Sequence, residues 1–325
     1  MAAAPGHLPS YDDLLERTGA PPGSSWGLWG DDDVLGCLNL LTPERVVRAA
    51  ALVRHGRVFP LNLELDLPDP PLFGRPGPVH DVTSLAADGS IHDETLSNWN
   101  TQASAQWDGF RHVAHTEHGF YNGVADEEHG VHHWARRGIV GRGVLADVAR
   151  WRESQGLAVR PGEADVISVD EIASTLEVQG TTVQIGDILL IRTGWLAWYR
   201  GLDTDARAET ATGFASIGLR SGPELPRFLW DLHIAAVAGD NPAVEVFPPG
   251  TGVDLDNPSA VMDDPDGFAH RALLPLLGLP LGEMWDLDAL AADCAADGVY
   301  EFLVTSAPLN LTAGVASPPN ALAVK

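Results

Sequence analysis

Short apolar runs alternate along the chain with segments that have the spacing and the end signals of helices. Residues 183–193 (VQIGDILLIRT) are the clearest strand, because the turn pair Gly186-Asp187 comes directly before the apolar run. Three other apolar runs predict buried strands, at residues 142–148, 234–238 and 300–305.

Helices are predicted between these strands. Thr42 is placed to cap a helix that has Pro43 at its first position and Gly56 after its end. Further helices are predicted at residues 169–179 (with Asp170 as the cap), 223–233, 271–277 and 287–297. Because strands and helices interleave, the predicted fold class is α/β. No G-x-G-x-x-G follows a strand, so a Rossmann dinucleotide site is not supported.

Composition and charge narrow the classes of function. Among 325 residues 45 are acidic and 20 are basic, which gives a formal net charge of −25. Such a chain is a poor partner for nucleic acid or for an anionic membrane surface. Lys325 is the only lysine, which argues against a Schiff-base or P-loop mechanism. Cys37 and Cys294 lie far apart, so no disulfide framework is predicted.

No secretory signal and no apolar run of membrane-spanning length is visible in the sequence. We therefore expect a cytoplasmic protein that binds a small molecule rather than a nucleic acid or a membrane.

The densest cluster of polar and aromatic side chains lies between residues 98 and 118 (NWNTQASAQWDGFRHVAHTEH). Groups that bind metal ions or move protons recur there every two to four residues, namely Gln102, Gln106, Asp108, His112, His115 and His118. On spacing alone, a solvated loop is an equally good interpretation. His270 and Glu283 form a second candidate group, and each is also explained as a residue near the start of a helix.

Other candidates have simpler explanations. For His129, His132 and His133 a surface role is favoured over a metal site, because Gly130 weakens a helix there. Asp240 lies in a turn after a predicted strand, where α/β proteins often place functional sites. The tryptophans Trp26, Trp29 and Trp107 suit the wall of a pocket for a flat ligand, with burial in the domain as the alternative for Trp26 and Trp29.

Four segments resemble the metal-dependent cyclase family, which includes bacterial kynurenine formamidase and isatin hydrolase. They are WGLWGDDDVLGCLNLLTPERV, QASAQWDGFRHV, VQIGDILLIRTGW and PLNLTAGVASPPNALAV, so the resemblance covers nearly the whole chain. It implies one domain over residues 1–325, a compact mixed-sheet fold of the swivelling β/β/α type. It also implies a homodimer or homotetramer, with residues 1–40 as a candidate arm towards a neighbouring subunit.

The family signature H-x-G-T-H-x-D-x-P-x-H aligns with residues 102–112. Asp108 and His112 match it, whereas its first two histidines fall on Gln102 and Gln106 and its proline on Phe110. The later histidine and glutamate of the family fall on His270 and Glu283.

By resemblance, Gln102, Gln106 and Asp108 are the candidate ligands of a divalent ion, Mn²⁺, Zn²⁺ or Mg²⁺. An amide oxygen is a weaker and harder ligand than an imidazole, so a site without a metal is the open alternative.

Three functions are compatible with these residues. The first is a hydrolase that cleaves an amide, formamide or lactone with activated water, with His112, His270 and Glu283 as the catalytic groups. The second is a cyclase, dehydratase or isomerase that acts on a carbonyl-rich natural-product intermediate by acid–base catalysis. The third is a binding protein that has lost catalysis. The predicted contacts to a small aromatic or cyclic substrate are Trp107, Phe110, Trp29 and Trp26.

Overall fold

A nine-stranded mixed sheet organises the molecule. The structure is a computed structural model, and it describes residues 8–213, 215–249 and 267–325. In the order of the sheet the strands are β1 (Val58–Pro60), β13 (Ala321–Val324), β11 (Glu301–Ser306), β5 (Ile139–Asp147), β7 (Ile188–Arg192), β9 (Ala236–Gly239), β10 (Leu281–Glu283), β4 (Gln106–Asp108) and β12 (Ala316–Ser317). Strands β5, β7, β9 and β10 run parallel, and the other pairs are antiparallel.

Ten α-helices are present in the described residues. They are α1 (Tyr11–Glu16), α2 (Pro43–Ala50), α3 (Val131–Arg137), α4 (Val148–Ser154), α5 (Val169–Val178), α6 (Trp195–Arg200), α7 (Thr204–Gly213), α8 (Glu224–Asp231), α9 (His270–Leu273) and α10 (Asp288–Asp297). Helix α2 packs on β5 and β11, and α4 and α5 pack on the neighbouring strands β7 and β5. This alternation of strands and helices confirms the predicted α/β class, in the form of one domain with a large mixed sheet.

The central strands are buried on both faces. From Ile188 to Ile191 in β7, and throughout the alanine and valine positions of β9, almost no side-chain surface is exposed. A parallel strand that is covered on both faces has a continuous apolar sequence, which is why these runs were readable in the sequence.

Helix ends differ from the predictions in detail. The cap of α5 is Ser168 and not Asp170: the Ser168 hydroxyl accepts from the Glu171 amide, and the Glu171 carboxylate accepts from the Ser168 amide. This reciprocal pair is a capping box, and it is favoured because the serine hydroxyl and the glutamate carboxylate three residues later each satisfy one free backbone N–H group. Helix α2 starts at Pro43 as predicted but ends at Ala50, six residues before Gly56.

The N-terminal segment packs on its own chain in the described residues. The Tyr11 amide donates to Asp231 of α8 at 2.7 Å, Asp12 pairs with Arg227 at 2.6 Å, and the Ser25 amide donates to the Leu276 carbonyl at 3.0 Å. No helix among the described residues is long and apolar enough to cross a bilayer.

Two small sheets lie outside the main one. Strands β6 (Val166–Ile167) and β8 (Gly218–Leu219) pair in parallel. Strands β2 (Val79–Ser84) and β3 (His92–Ser97) form an antiparallel hairpin in which every residue is exposed.

Candidate functional site

Two segments that are far apart in the chain meet where β4 pairs with β10. In the antiparallel register Gln106 lies opposite Glu283, and Asp108 lies opposite Leu281. Opposed residues project from the same face of a sheet, and residues two apart share a face. The pairing therefore places Gln106, Asp108 and Glu283 side by side, all of them buried.

Two histidines complete this cluster. His270 is the first residue of α9, and its Nε2 lies 3.2 Å from Glu283 Oε1 and 3.7 Å from Asp108 Oδ2. His112 follows β4 by a few residues, and its Nε2 lies 3.9 Å from Asp108 Oδ2. The His112 side chain is 25% exposed, whereas those of Asp108, His270 and Glu283 are at most 4% exposed. Solvent or a substrate therefore reaches the cluster from the side of His112.

Glu245 is a member of the site that the sequence did not reveal. Its Oε1 accepts from His270 Nδ1 at 2.6 Å, and its Oε2 accepts from the Ala269 amide at 2.8 Å and from the Ser221 hydroxyl. Glu245 follows β9 at the carboxyl edge of the parallel strands, which is a common location for sites in α/β proteins. Its position after a predicted strand is the one feature of the sequence that could have marked it as a site residue. A carboxylate on the far nitrogen of a histidine fixes the orientation of the ring.

The two glutamines point their amide nitrogens at the carboxylates. Gln102 Nε2 lies 2.7 Å from Asp108 Oδ1 and 3.2 Å from His112 Nδ1. Gln106 Nε2 donates to Glu283 Oε2 and lies 3.4 Å from Asp108 Oδ1. An ionised carboxylate only accepts hydrogen bonds, so the nitrogen and not the oxygen of each amide must face it.

The protonation of the cluster follows from these contacts. Burial opposes ionisation of Asp108, but the nearby His112 and His270 outweigh it and lower the pKa of Asp108 to about 2. Burial and the charge of Asp108 raise the pKa of Glu283 to about 7. Burial alone would lower the pKa of His270, but its contacts with Asp108, Glu245 and Glu283 raise that pKa well above the usual value. His270 is therefore an imidazolium among three carboxyl groups.

Arg75 is a second residue that the sequence did not reveal. Its Nη1 donates to the Gln102 carbonyl at 2.6 Å. Its positive charge favours the ionised form of both Asp108 and Glu283, although burial and Asp108 outweigh this effect at Glu283. The guanidinium lies over the ring of Phe73, 4.7 Å from its centre, and that ring is 40% exposed. Arg75 lies in the proline-rich stretch of residues 67–78, where the sequence carries no signal for a site.

The predicted aromatic contacts lie elsewhere. Trp107 sits between Gln106 and Asp108 in β4, so strand alternation sends it to the opposite face, where it is fully buried against Trp134 and Trp285. Phe110 is buried against Tyr121 and Trp134. Because Trp107 and Phe110 are buried in the core, neither ring is exposed to contact a ligand.

The N-terminal tryptophans also pack against the domain. Trp29 is buried with its ring against Trp230, and Trp26 Nε1 donates to the Pro275 carbonyl at 2.6 Å. Neither contact involves the cluster around Asp108, so the burial alternative describes both residues.

Five other predicted candidates make contacts away from the cluster around Asp108. His129 and His132 are buried, so the expected surface role is wrong for them: His129 Nε2 bonds to the Tyr121 carbonyl and His132 Nδ1 accepts from the Ala313 amide. Asp240 is buried and accepts from both backbone amides of Thr193-Gly194, which ties β9 to the start of α6. His115 and His118 stack on each other, with ring centres 4.6 Å apart.

Asp108, His112 and His270 each place one ligand atom within 4.8 Å of the others, a spacing that a metal ion could bridge. The hydrogen-bond pattern, however, does not fit such an ion. Four nitrogens surround the Asp108 carboxylate, and the two from Gln102 and Gln106 are amide nitrogens, which have no lone pair to offer. Both ring nitrogens of His270 face carboxylates, Nδ1 that of Glu245 and Nε2 that of Glu283.

Comparisons with known proteins identify the family of the chain. The family model described as "Putative cyclase" matches residues 51–246. The chain belongs to the cyclase family. A crystal structure described as that of a novel cyclase shares 31% identity with this cyclase-family chain and superposes with a TM-score of 0.76. That match covers 93% of this chain and 99% of the other.

Two isatin hydrolases resemble this cyclase-family chain in fold. The enzyme from Labrenzia aggregata, bound to benzyl benzoate, is 19% identical over 86% of this chain and 97% of its own, with a TM-score of 0.57. Another, bound to the product analogue thioisatinate, is 16% identical over 84% and 93% of the two chains, with a TM-score of 0.54. No functionally curated protein matches the sequence.

Proposed function

We propose that this cyclase-family protein is a hydrolase that adds water to the carbonyl carbon of a small cyclic or aromatic amide, formamide or lactone. The observation that carries the proposal is the contact of Glu283, a carboxyl with a pKa of about 7, with the imidazolium of His270 beside the partly exposed His112. A proton acceptor, a fixed positive charge and a hydrogen-bond donor are the groups that such a reaction needs.

Glu283 is the proton acceptor in this proposal. A group whose pKa lies near the working pH exchanges protons most effectively, and Glu283 meets this condition. It takes a proton from water as the water oxygen bonds to the carbonyl carbon. The same proton then passes to the leaving nitrogen or oxygen as the C–N or C–O bond breaks, which releases a carboxylic acid.

His112 is the hydrogen-bond donor to the carbonyl oxygen. Because an amide nitrogen cannot accept, the contact of Gln102 Nε2 with His112 Nδ1 leaves the hydrogen of the neutral ring on Nε2. Burial lowers the pKa of His112, which favours the neutral ring. A neutral N–H donor together with the imidazolium of His270 stabilises the charge that develops on the carbonyl oxygen.

Arg75 and Phe73 support an aromatic substrate that gives an anionic product. Phe73 offers an exposed ring, and Arg75 above it contributes positive charge to the site. The two isatin hydrolases of the same fold carry their activity in their names, and they support a cyclic substrate by analogy.

We also propose that the protein is cytoplasmic and forms a homodimer or homotetramer, as the family resemblance implies. Sedimentation velocity at micromolar concentration measures the assembly directly.

The experiment that tests hydrolysis uses a panel of isatin, aryl lactones and N-formyl anilines. We expect one panel class to be turned over, and the double variant Asp108→Ala/His112→Ala to lose at least about a thousandfold in kcat/KM, because it removes a hydrogen-bond donor to the carbonyl oxygen and the anion that the site is built around. His133→Ala, outside the cluster, is the matched control. No turnover of any panel member, or full activity of the double variant, would overturn the proposal.

The second candidate is a cyclase, dehydratase or isomerase on a carbonyl-rich natural-product intermediate. The arrangement that favours it is the pairing of Glu283 as acceptor with His112 as donor, which moves protons without any hydrolytic water. Turnover in H₂¹⁸O separates the two: hydrolysis places one ¹⁸O in the acid product, whereas an isomerisation places none.

A further inference from the structure

We infer that Gln102 and Gln106 hold the carboxylates of this site together through their amide N–H groups, at the place where a divalent cation would otherwise bridge them. The folded protein then keeps its site intact without a metal ion. The inference rests on the proposed function for the importance of this site, but its test does not need turnover.

The first argument is the direction of the amides. Gln102 Nε2 donates to both Asp108 Oδ1 and His112 Nδ1. Gln106 Nε2 donates to Glu283 Oε2, and Asp108 Oδ1 lies nearby. The two glutamines therefore join three acceptors into one network, namely Asp108 of β4, Glu283 of β10 and His112. A bridging cation would hold the same carboxylates together by the same attraction.

The second argument is what the opposite amide orientation would do. Rotating Gln102 by 180° would put its Oε1 about 2.7 Å from Asp108 Oδ1, where two acceptors with no hydrogen between them repel. Only a cation placed between the two oxygens would make that orientation favourable. Because the observed contacts are satisfied by the N–H groups alone, no cation is required.

The third argument is the charge balance inside the cluster. Buried carboxylates are tolerated when each is paired and hydrogen-bonded. Asp108 has the two amides and lies beside both histidines, and Glu283 has Gln106 and His270. Glu245 has the His270 ring, Ser221 and the backbone amides of Ala269 and His270. Every carboxyl group of the cluster therefore has a donor from the chain itself.

Two buried acceptors of the cluster remain open among the described residues. Asp108 Oδ2 and Gln106 Oε1 have no hydrogen-bond partner there. Asp108 Oδ2 lies between the Nε2 atoms of His112 and His270, at 3.9 and 3.7 Å. In this proposal Asp108 Oδ2 accepts a hydrogen bond from the attacking water or from an N–H group of the substrate.

The test is metal content and thermal stability of the full-length protein. After purification without added metal, we expect well under one equivalent of any transition metal by elemental analysis. Chelation with EDTA, and then MnCl₂ or ZnCl₂ added singly, should each leave Tm unchanged. A bound ion at a hundredfold its Kd would raise Tm by roughly 5 °C or more, so the difference is measurable. One equivalent of bound metal, or a Tm that falls on chelation, would overturn the inference.

The variant Gln106→Glu supplies the converse result. It replaces an N–H donor with a carboxylate directly opposite Glu283, so the folded variant should become stabilised by MnCl₂ where the native protein is not. Gln155→Glu makes the same chemical change at an exposed position and should give no such response. If Gln106→Glu does not fold, Gln102→Glu replaces it. A Gln→Glu variant that responds to Mn²⁺ no more than the native protein would contradict the role of the amides.

The two proposals can fail separately. A metal-loaded protein that hydrolyses the panel would remove the inference and leave the hydrolase. A metal-free protein with stable fold and no turnover would do the reverse.

Discussion

At the scale of single residues, the site depends on how each buried polar group is held. His270 has one nitrogen on Glu245 and the other on Glu283, so its ring has no freedom to rotate away from Asp108. Glu245 in turn is fixed by the Ala269 amide and the Ser221 hydroxyl. Glu245 touches no reacting atom in the proposed reaction, so it acts as a positioning residue.

Replacing Glu245 by Gln tests this role. The variant keeps the shape of the side chain but removes the negative charge beside His270 Nδ1, so the imidazolium is less well oriented and less stable. We expect kcat to fall roughly 10–100-fold, as for other residues that orient a functional histidine, with KM little changed. Steady-state kinetics on the best panel substrate gives both constants.

Ser221→Ala is the matched control, because it removes one hydrogen bond to Glu245 and leaves the carboxylate in place. Its kcat should stay within about tenfold of the native value. If Glu245→Gln loses no more than Ser221→Ala, the charge of Glu245 has no part in positioning His270.

Residue type and family resemblance were enough to single out Asp108, His112, His270 and Glu283 from the sequence. Glu245 and Arg75 were not predicted, because a single glutamate or arginine has no local pattern that marks it. Their roles arise only when β9 and the proline-rich stretch approach the cluster in space.

At the scale of elements, strand β4, which carries part of the site, could not be predicted from the sequence. Its three residues, Gln106–Asp108, are two polar side chains around a tryptophan, and apolar periodicity does not detect such a strand. Trp134 and Trp285 cover one face, and the carboxylate cluster lies on the other. Partners distant in the sequence therefore decide its burial. Strands β7 and β9, buried on both faces, were predicted because their apolar runs need no partner to be recognised.

A second element-scale feature is the close contact between Gly36 and Gly278. Gly36 has φ +55°, and a side-chain carbon there would lie 2.1 Å from the Gly278 carbonyl oxygen, which also accepts from the Cys37 amide. Neither backbone can move without breaking this contact. We expect Gly36→Ala to lower the free energy of unfolding by more than about 3 kcal/mol, through strain and overlap together.

Gly56→Ala is the control for backbone strain alone. Its φ is +66°, but nothing lies within 4 Å of the added carbon, so the expected loss is about 1 kcal/mol. Urea denaturation of the two variants measures the difference. Equal losses would show that the approach of Gly36 to Gly278 contributes nothing.

At the scale of the whole molecule, arginine supplies nearly all the positive charge, and several arginines join strands to their neighbours. Arg142 of β5 bonds to Asp187 beside β7 and to Glu301 of β11. Arg192 at the end of β7 bonds to Asp147 of β5 and Asp288 of α10. The planar guanidinium binds two carboxylates at once, which suits an acidic protein with few cations.

The stability of the molecule should depend on pH through Glu283. Its pKa is about 7 in the folded protein against a reference of 4.5, so the folded state binds this proton more tightly than the unfolded chain does. The resulting stabilisation is complete below pH 4.5 and is lost as the pH rises through 7. Between these values the native protein should lose stability relative to Glu283→Gln, by at most about 1.4 kcal/mol per pH unit.

Denaturant unfolding of both proteins at pH 5, 6, 7 and 8 checks this expectation, and the comparison cancels the titrating groups that do not contact Glu283. Parallel stability curves would contradict the raised pKa of Glu283. The buried Asp187 and Asp240 also have raised pKa values, but they are present in both proteins, so their contribution to the pH dependence cancels.

The last residue of the chain has a practical consequence. Lys325, the one side-chain amine in the sequence, is 3% exposed, with its Nζ bonded to Asp297 and the Val299 carbonyl. A reagent that acylates amines should leave this nitrogen untouched until the carboxyl-terminal strand detaches. Pulse labelling at that single position, read by mass spectrometry, would thus serve as a built-in reporter of local opening at one edge of the main sheet.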